Sequence, residues 1–370
     1  MSWGIWITGP PGSGKSALAR AAAERLRAHG VPVKVLELDA IRKIVTPLPT
    51  YNDGEREALS RLLAFMAATL TEAGIPVIVD ATAHRRRWRE VARDMIPRFA
   101  EVQLECPLAV CRQREALRAP GNAPAAIYAR AGTATAPCVD REYERAWAPE
   151  LTIDTTCDSV AAGAEKIAAL ADTLATGSRA VPTPRHGWAL WITGPPGSGK
   201  TTLAQCVAQA LAARNVNVHI LDAATLRHAV GPVLAAIFDD LVHRALVCLA
   251  TLLVEAGVAV IVDATAHRRR WRELARALIP RFAEIQLVCP AEVCTARERA
   301  VRWRLHSGAV AVHEPLASID ADIVLDYEPA LRPELTLYTD VQDRLAAVDA
   351  VLFVARRLHG DATIDQEGRT

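Results

Sequence analysis

Gly4-Ile5-Trp6-Ile7-Thr8-Gly9-Pro10-Pro11-Gly12-Ser13-Gly14-Lys15-Ser16 sets an apolar, β-branched run directly before a glycine loop and a helix-forming stretch. Strand, GxxxxGK[ST], helix is the order in which a loop gathers backbone N–H groups around an anion. The stretch occurs twice. Trp6 through Lys15 returns residue for residue as Trp191 through Lys200, followed by Thr201. Val77 through Glu90 returns as Val260 through Glu273, and Ile96 through Glu101 as Ile279 through Glu284. Lys15 and Lys200 are 185 residues apart, Asp80 and Asp263 only 183, so a small deletion separates the blocks. A period this long means duplicated domains, not a solenoid.

Around each loop, short apolar runs alternate with helical stretches. In the first copy the runs are Gly4–Thr8, Val33–Leu38, Ile75–Asp80, Glu101–Glu105 and Leu151–Asp154, with helices over Lys15–His29 and Glu55–Ala73. Near-continuous apolar strands separated by helices predict an α/β fold, a doubly wound and mostly parallel sheet covered on both faces. The expected organisation is two tandem P-loop domains at 1–175 and 188–360. Residues 176–187 have linker composition, and 361–370 form a polar tail.

The 370 residues are 51% hydrophobic and 23% charged, as in an ordinary globular chain, and exclude a disordered one. Lys plus Arg (43) nearly balances Asp plus Glu (42), which argues against a nucleic-acid or membrane-surface partner. The apolar run from Ala245 to Val254 is too short to span a bilayer, and the N-terminus has no export-signal pattern. Eight cysteines without a CxxC pair read as reduced thiols, so a cytoplasmic location is expected.

The chemistry expected at the loops is phosphate binding. In the first loop Gly9, Pro10, Pro11, Gly12, Ser13 and Gly14 would wrap an ATP, as would Gly194, Pro195, Pro196, Gly197, Ser198 and Gly199 in the second. Lys15 and Lys200 would reach the β- and γ-phosphates, and the Ser16 and Thr201 hydroxyls would ligate Mg²⁺. Asp80 and Asp263 end an apolar strand and read either as carboxylates near that Mg²⁺ or as caps of the next helix. Asp39 and Arg42 follow the second strand, at the carboxyl edge of the sheet where ligands bind. Asp39 would orient or deprotonate an attacking hydroxyl, or cap a helix, and Arg42 would neutralise an anionic acceptor.

The second copy departs here. Aligned on Arg227, the counterpart of Arg42, it has Ala224 for Asp39, and Asp222 falls opposite Glu37. The basic run His84-Arg85-Arg86-Arg87-Trp88-Arg89 and its repeat read as an anion clamp or as a solvated helix face. Cys106 and Cys111, like Cys289 and Cys294, read as buried packing residues. Arg114 and Arg297 would belong to a lid over the nucleotide, or be exposed helix arginines.

On these residues both copies resemble the P-loop small-molecule kinases, and most of all the adenylyl-sulfate kinases. In the first copy the resemblance rests on the phosphate loop, Asp39-x-x-Arg42, Glu55-Arg56 with Arg61, and Leu70 through Val79. It continues through Cys106–Cys111, Ile127–Gly132 with Tyr128, Tyr143-Glu144 and Pro149–Thr155. It implies transfer of the ATP γ-phosphoryl to the 3′-hydroxyl of adenosine 5′-phosphosulfate in sulfate assimilation. Asp39, Arg42 and Arg56 would hold that acceptor, and a pseudo-dimer within the chain, or a homodimer, would be the assembly. Leu59 stands where the family has Asn, Ala83 where many members have Ser, and Ala136-Pro137-Cys138 where they have Phe-Thr-Gly. Gly-Pro-Pro-Gly and Val79-Asp80-Ala81-Thr82 look closer to the polynucleotide-kinase and zeta-toxin-like branch. In the second copy Asp239 falls opposite Arg56. Other acceptors (a sugar, a nucleoside, a polynucleotide 5′-end) and a nucleotide-binding second half without turnover stay open.

Overall fold

The computed structural model describes residues 2–117, 128, 143–175, 187–231, 239–306 and 327–360. Most of the expected lid, including Ala136-Pro137-Cys138, and residues 176–186 and 361–370 lie outside them. The chain forms two compact units, each built around one five-stranded sheet.

In the first, β1 (Gly4–Thr8), β2 (Lys34–Glu37), β3 (Val77–Asp80), β4 (Phe99–Glu105) and β5 (Leu151–Asp154) lie in the order β2-β3-β1-β4-β5, all pairs parallel. The helices are α1 (Lys15–Ala28), α2 (Leu38–Val45), α3 (Asp53–Glu72), α4 (Arg86–Met95), α5 (Leu108–Ala116) and α6 (Val160–Ala175). Every residue of β1 is buried, as a strand covered on both faces requires. Ile5 and Ile7 pack with Leu18 and Ala22 of α1 and with Ile167 of α6. Trp6 points to the other face, and its indole N–H donates to the Ala81 carbonyl at 3.2 Å.

The second unit repeats this plan. Its strands are β6 (Trp188–Thr193), β7 (Val218–Asp222), β8 (Ala259–Asp263), β9 (Phe282–Val288) and β10 (Leu335–Tyr338). They are ordered β10-β9-β6-β8-β7, again all parallel. Its helices are α7 (Lys200–Ala212), α8 (Ala223–Val230), α9 (Asp239–Glu255), α10 (Arg269–Leu278), α11 (Ala291–His306) and α12 (Arg344–His359). Leu190 and Ile192 meet Leu203 and Val207 of α7 and Val351 of α12. Among the described residues no helix is long and apolar enough to cross a membrane.

Within the basic run after β3, Arg87 is exposed and Arg85 and Arg86 are half-buried around the packed Trp88, but Arg89 turns inward. Arg89 is fully buried and donates to the Glu101 carboxylate on β4 and to the Ala83 carbonyl, both at 2.5 Å, and to the Glu144 carbonyl at 2.6 Å. Arg272 repeats this arrangement with Glu284, at 2.8 Å, and with the Ala266 and Glu328 carbonyls. The guanidinium is a polar plug tying the loop after β3, strand β4 and the segment before β5 together. Removing one partner of such a pair leaves a buried charge. Arg89→Ala should therefore cost about 3–5 kcal/mol in urea unfolding. Arg87→Ala, which loses only an exposed bond to Glu57, should cost less than about 1 kcal/mol. Equal costs would overturn the assignment.

Candidate active site

The site lies at the carboxyl end of each sheet. Between β1 and α1 the chain must turn sharply, and it does so with positive φ at Gly12 (+78°) and Gly14 (+99°). A Cβ on Gly12 would stand 2.3 Å from the Cys111 carbonyl oxygen, and one on Gly197 2.4 Å from that of Cys294. The cysteines five apart thus frame the loops: all four are free thiols, Cys111 and Cys294 buried as the packing reading expected, Cys106 and Cys289 only half-buried. Burial pushes the Cys111 and Cys294 thiols up to about 12, so they stay protonated.

The Lys15 ammonium donates to the Gly9 and Pro10 carbonyls, both at 3.0 Å. Lys200 does the same with Gly194 (3.1 Å) and Pro195 (3.0 Å). Each lysine thus lies across its own loop. Parallel register carries Asp80 beside Ile7 and Glu37, and Asp263 beside Ile192 and Asp222. The Thr201 hydroxyl donates to Asp263 at 2.6 Å, and Ser16 stands near enough to Asp80 to lower its pKa. Burial raises the Asp80 pKa above the ordinary carboxylate range, against the pull of Lys15 and Ser16, and Glu37 and Asp39 push the same way. Asp263 is raised by burial too, against Thr201 and Lys200, while burial lowers Lys200.

β2 stops at Glu37, so Asp39 is the second residue of α2 and Arg42 stands almost one turn further along it. Asp39 is half-buried, and the residue at the cap position is Glu37, whose side chain makes no capping bond. In the second copy the cap is real: Asp222 accepts from the Ala224 and Thr225 N–H groups and from the Thr225 hydroxyl. Arg42 and Arg56 are both buried, which is unusual for guanidinium groups. Arg42 lies 3.7 Å from Glu55 and 4.5 Å above the ring of Tyr51. Arg61 is turned to Glu57 at 3.3 Å, and its counterpart position to Arg42 in the second copy, Arg227, is half-buried on α8.

Arg114 and Arg297 lie on α5 and α11, next to expected lid segments that fall mostly outside the described residues. Arg114 donates to the Thr155 carbonyl (2.7 Å) and hydroxyl (2.9 Å), beside the loop, since Thr155 Cγ2 is the neighbour of a Cβ built on Gly14. Arg297 holds Thr339 in the same way. Of the segment 127–132 only Tyr128 is described, and its hydroxyl donates to the Pro11 carbonyl at 2.7 Å. Tyr51 beneath Arg42 was not foreseen; Tyr143, one of the residues of the resemblance, hydrogen-bonds Thr8 at 3.0 Å, a partner the sequence did not signal. Nothing in an isolated tyrosine's neighbours along the chain signals such a partner.

A family model for adenylylsulphate kinase matches residues 1–154 and again 186–338. The probable adenylyl-sulfate kinase of Archaeoglobus fulgidus is 36% identical over 158 residues, 42% of this chain and 97% of that protein. That of Pyrococcus abyssi is 36% identical over 155 residues, 41% of this chain and 84% of its own. Among solved structures, Mycobacterium tuberculosis APS kinase in complex with AMPPNP and APS aligns at 25% identity with a TM-score of 0.37, covering 47% of this chain and 99% of that one. The two archaeal relatives each take less than half of this chain and most of their own length, as a duplicated unit requires. With both copies matched, the chain belongs to the adenylylsulphate kinase family and carries its unit twice.

Proposed function

We propose that the first half transfers the γ-phosphoryl of ATP to the 3′-hydroxyl of adenosine 5′-phosphosulfate. The observation that carries this is the juxtaposition of two unlike sites at one sheet end. A phosphate loop with Lys15 lies next to Asp80, whose pKa Asp39 helps to raise, and along α2 from Asp39 stands the buried Arg42, 3.7 Å from Glu55 and so beside the buried Arg56. Two buried arginines suit an acceptor bearing both a phosphate and a sulfate. Family membership and the curated relatives support the same acceptor.

The residues divide the work. Loop N–H groups and the start of α1 would bind the ATP phosphates, and Lys15 would leave the Gly9 and Pro10 carbonyls for the phosphoryl oxygens. Asp39 would accept the proton of the attacking hydroxyl, while Arg42 and Arg56 hold the acceptor in line. The Ser16 hydroxyl and the Asp80 carboxylate are adjacent hard oxygen donors and fit Mg²⁺, as do Thr201 and Asp263. When bound, that ion would neutralise charge on the phosphates and draw the Asp80 proton affinity back down.

In the second half Ala224 replaces the proposed base and Asp239 replaces Arg56, while the loop, Lys200, Thr201 and Asp263 persist. These exchanges favour a half that binds ATP without phosphorylating the sulfated nucleotide.

ADP release with MgATP and adenosine 5′-phosphosulfate tests both readings. Asp39→Ala should lower kcat by about 10²–10⁴-fold with little change in the ATP KM. Lys15→Ala should abolish acceptor-dependent turnover, and any remainder measures the second half. Full turnover in either variant would sink the assignment. Gly12→Ala, which drives a methyl into the Cys111 carbonyl, should weaken ATP binding to the first half at least about 10-fold and destabilise it by roughly 1–3 kcal/mol. Gly30→Ala, at a similar φ with open space around it, should leave ATP binding unchanged.

A further inference from the structure

In the second copy, a helix face that carries an arginine and a serine in the first copy has acquired metal-binding side chains. With the 183-residue offset of this region, Arg56 becomes Asp239, Ser60 becomes His243, and His84 is retained as His267. Asp239 and His243 are one helical turn apart on α9, so their side chains share a face. His267 follows β8, on the loop that precedes α10. One ligand atom from each of the three lies within 4.8 Å of the others.

The rings are held in place. His243 is buried and stacks flat on Trp271, with centroids 3.8 Å apart and an angle of 3°. His267 meets the same indole edge-on at 5.0 Å and His243 edge-on at 6.0 Å. Ala266, just before His267, has φ +41°, an uncommon conformation for a residue with a side chain, and it aims the loop. In the first copy the same location is built for packing and anion chemistry. There Ser60 donates to the Arg56 carbonyl at 2.8 Å, and His84 meets Trp88 edge-on at 4.7 Å.

We infer that Asp239, His243 and His267 bind a divalent transition-metal ion of the zinc type. Two imidazoles and one carboxylate suit zinc and its neighbours better than Mg²⁺, which prefers oxygen donors alone. Ligand atoms around a tetrahedral zinc stand about 3.4 Å apart, from bonds near 2.0–2.1 Å. Side-chain rotations of about an ångström close the observed cluster to that size. Three protein ligands leave a fourth position open to water or an anion, as in catalytic zinc sites. The acceptor side of the second half would then be a cation site where the first half has an arginine.

The test uses the full chain, stripped with a chelator and kept free of nucleotide. Zinc is titrated calorimetrically, and Co²⁺ is followed by its visible ligand-field absorption. We expect Zn²⁺ to raise the melting temperature of the wild type, and its affinity to fall at least ~10-fold in His243→Ser and in Asp239→Asn. The first variant restores the residue of the first copy, and the second keeps size and shape. His84→Asn, in the first copy, should leave zinc affinity as in the wild type. Circular dichroism of each variant separates lost binding from lost fold. Zinc affinity unchanged in both folded variants overturns the site. So does a thiolate-to-cobalt charge-transfer band, which would place the metal on cysteines instead.

Discussion

Everything at the active end depends on the central strand of each sheet being dry on both faces. β1 and β6 can satisfy their backbone groups only by pairing with neighbours on either side, and parallel pairing fixes who those neighbours are. Register then places Asp80 beside Ile7 and Glu101 beside Trp6, so one strand brings a carboxylate to the loop and another to the buried plug. A slip of one residue would turn Asp80 toward the opposite face and take Glu101 from Arg89. The chemistry of the loop is therefore a property of strand register before it is a property of the loop.

The same dependence explains what could be read from the chain. Strands β1 and β3, helix α1 and both glycine loops were legible because their signals are local: apolar runs, glycine spacing and an adjoining helical stretch. Asp80 was legible because it closes an apolar run. Asp39 was expected at the end of the second strand, yet that strand stops at Glu37 and Asp39 falls in the first turn of α2, which begins without a capping side chain. The fate of the basic run was not legible. Five polar residues around one tryptophan look solvent-facing, and only Glu101, far along the chain, turns Arg89 inward. The bonds of Arg114 to Thr155, 41 residues on, were not legible either, because only the β4–β5 pairing brings them together. The cluster of Asp239, His243 and His267 had a readable half, an aspartate and a histidine four apart on one helix. Its third member becomes visible only when β8 carries His267 back to that helix.

The duplicated plug has a consequence for how the halves diverge. Arg89 with Glu101, and Arg272 with Glu284, are kept identical, while Asp39 and Arg56 have been exchanged for Ala224 and Asp239. A residue inside the plug answers to the thermodynamics of the whole sheet, because changing it strands a charge in a dry interior. A residue on the acceptor side answers only to the molecule it meets. A chain with one working copy can therefore let the other explore new ligands, provided each trial leaves the scaffold's buried charges matched. On the proposed assignment, the second half is a folded surplus in which chemistry is free to drift and architecture is not.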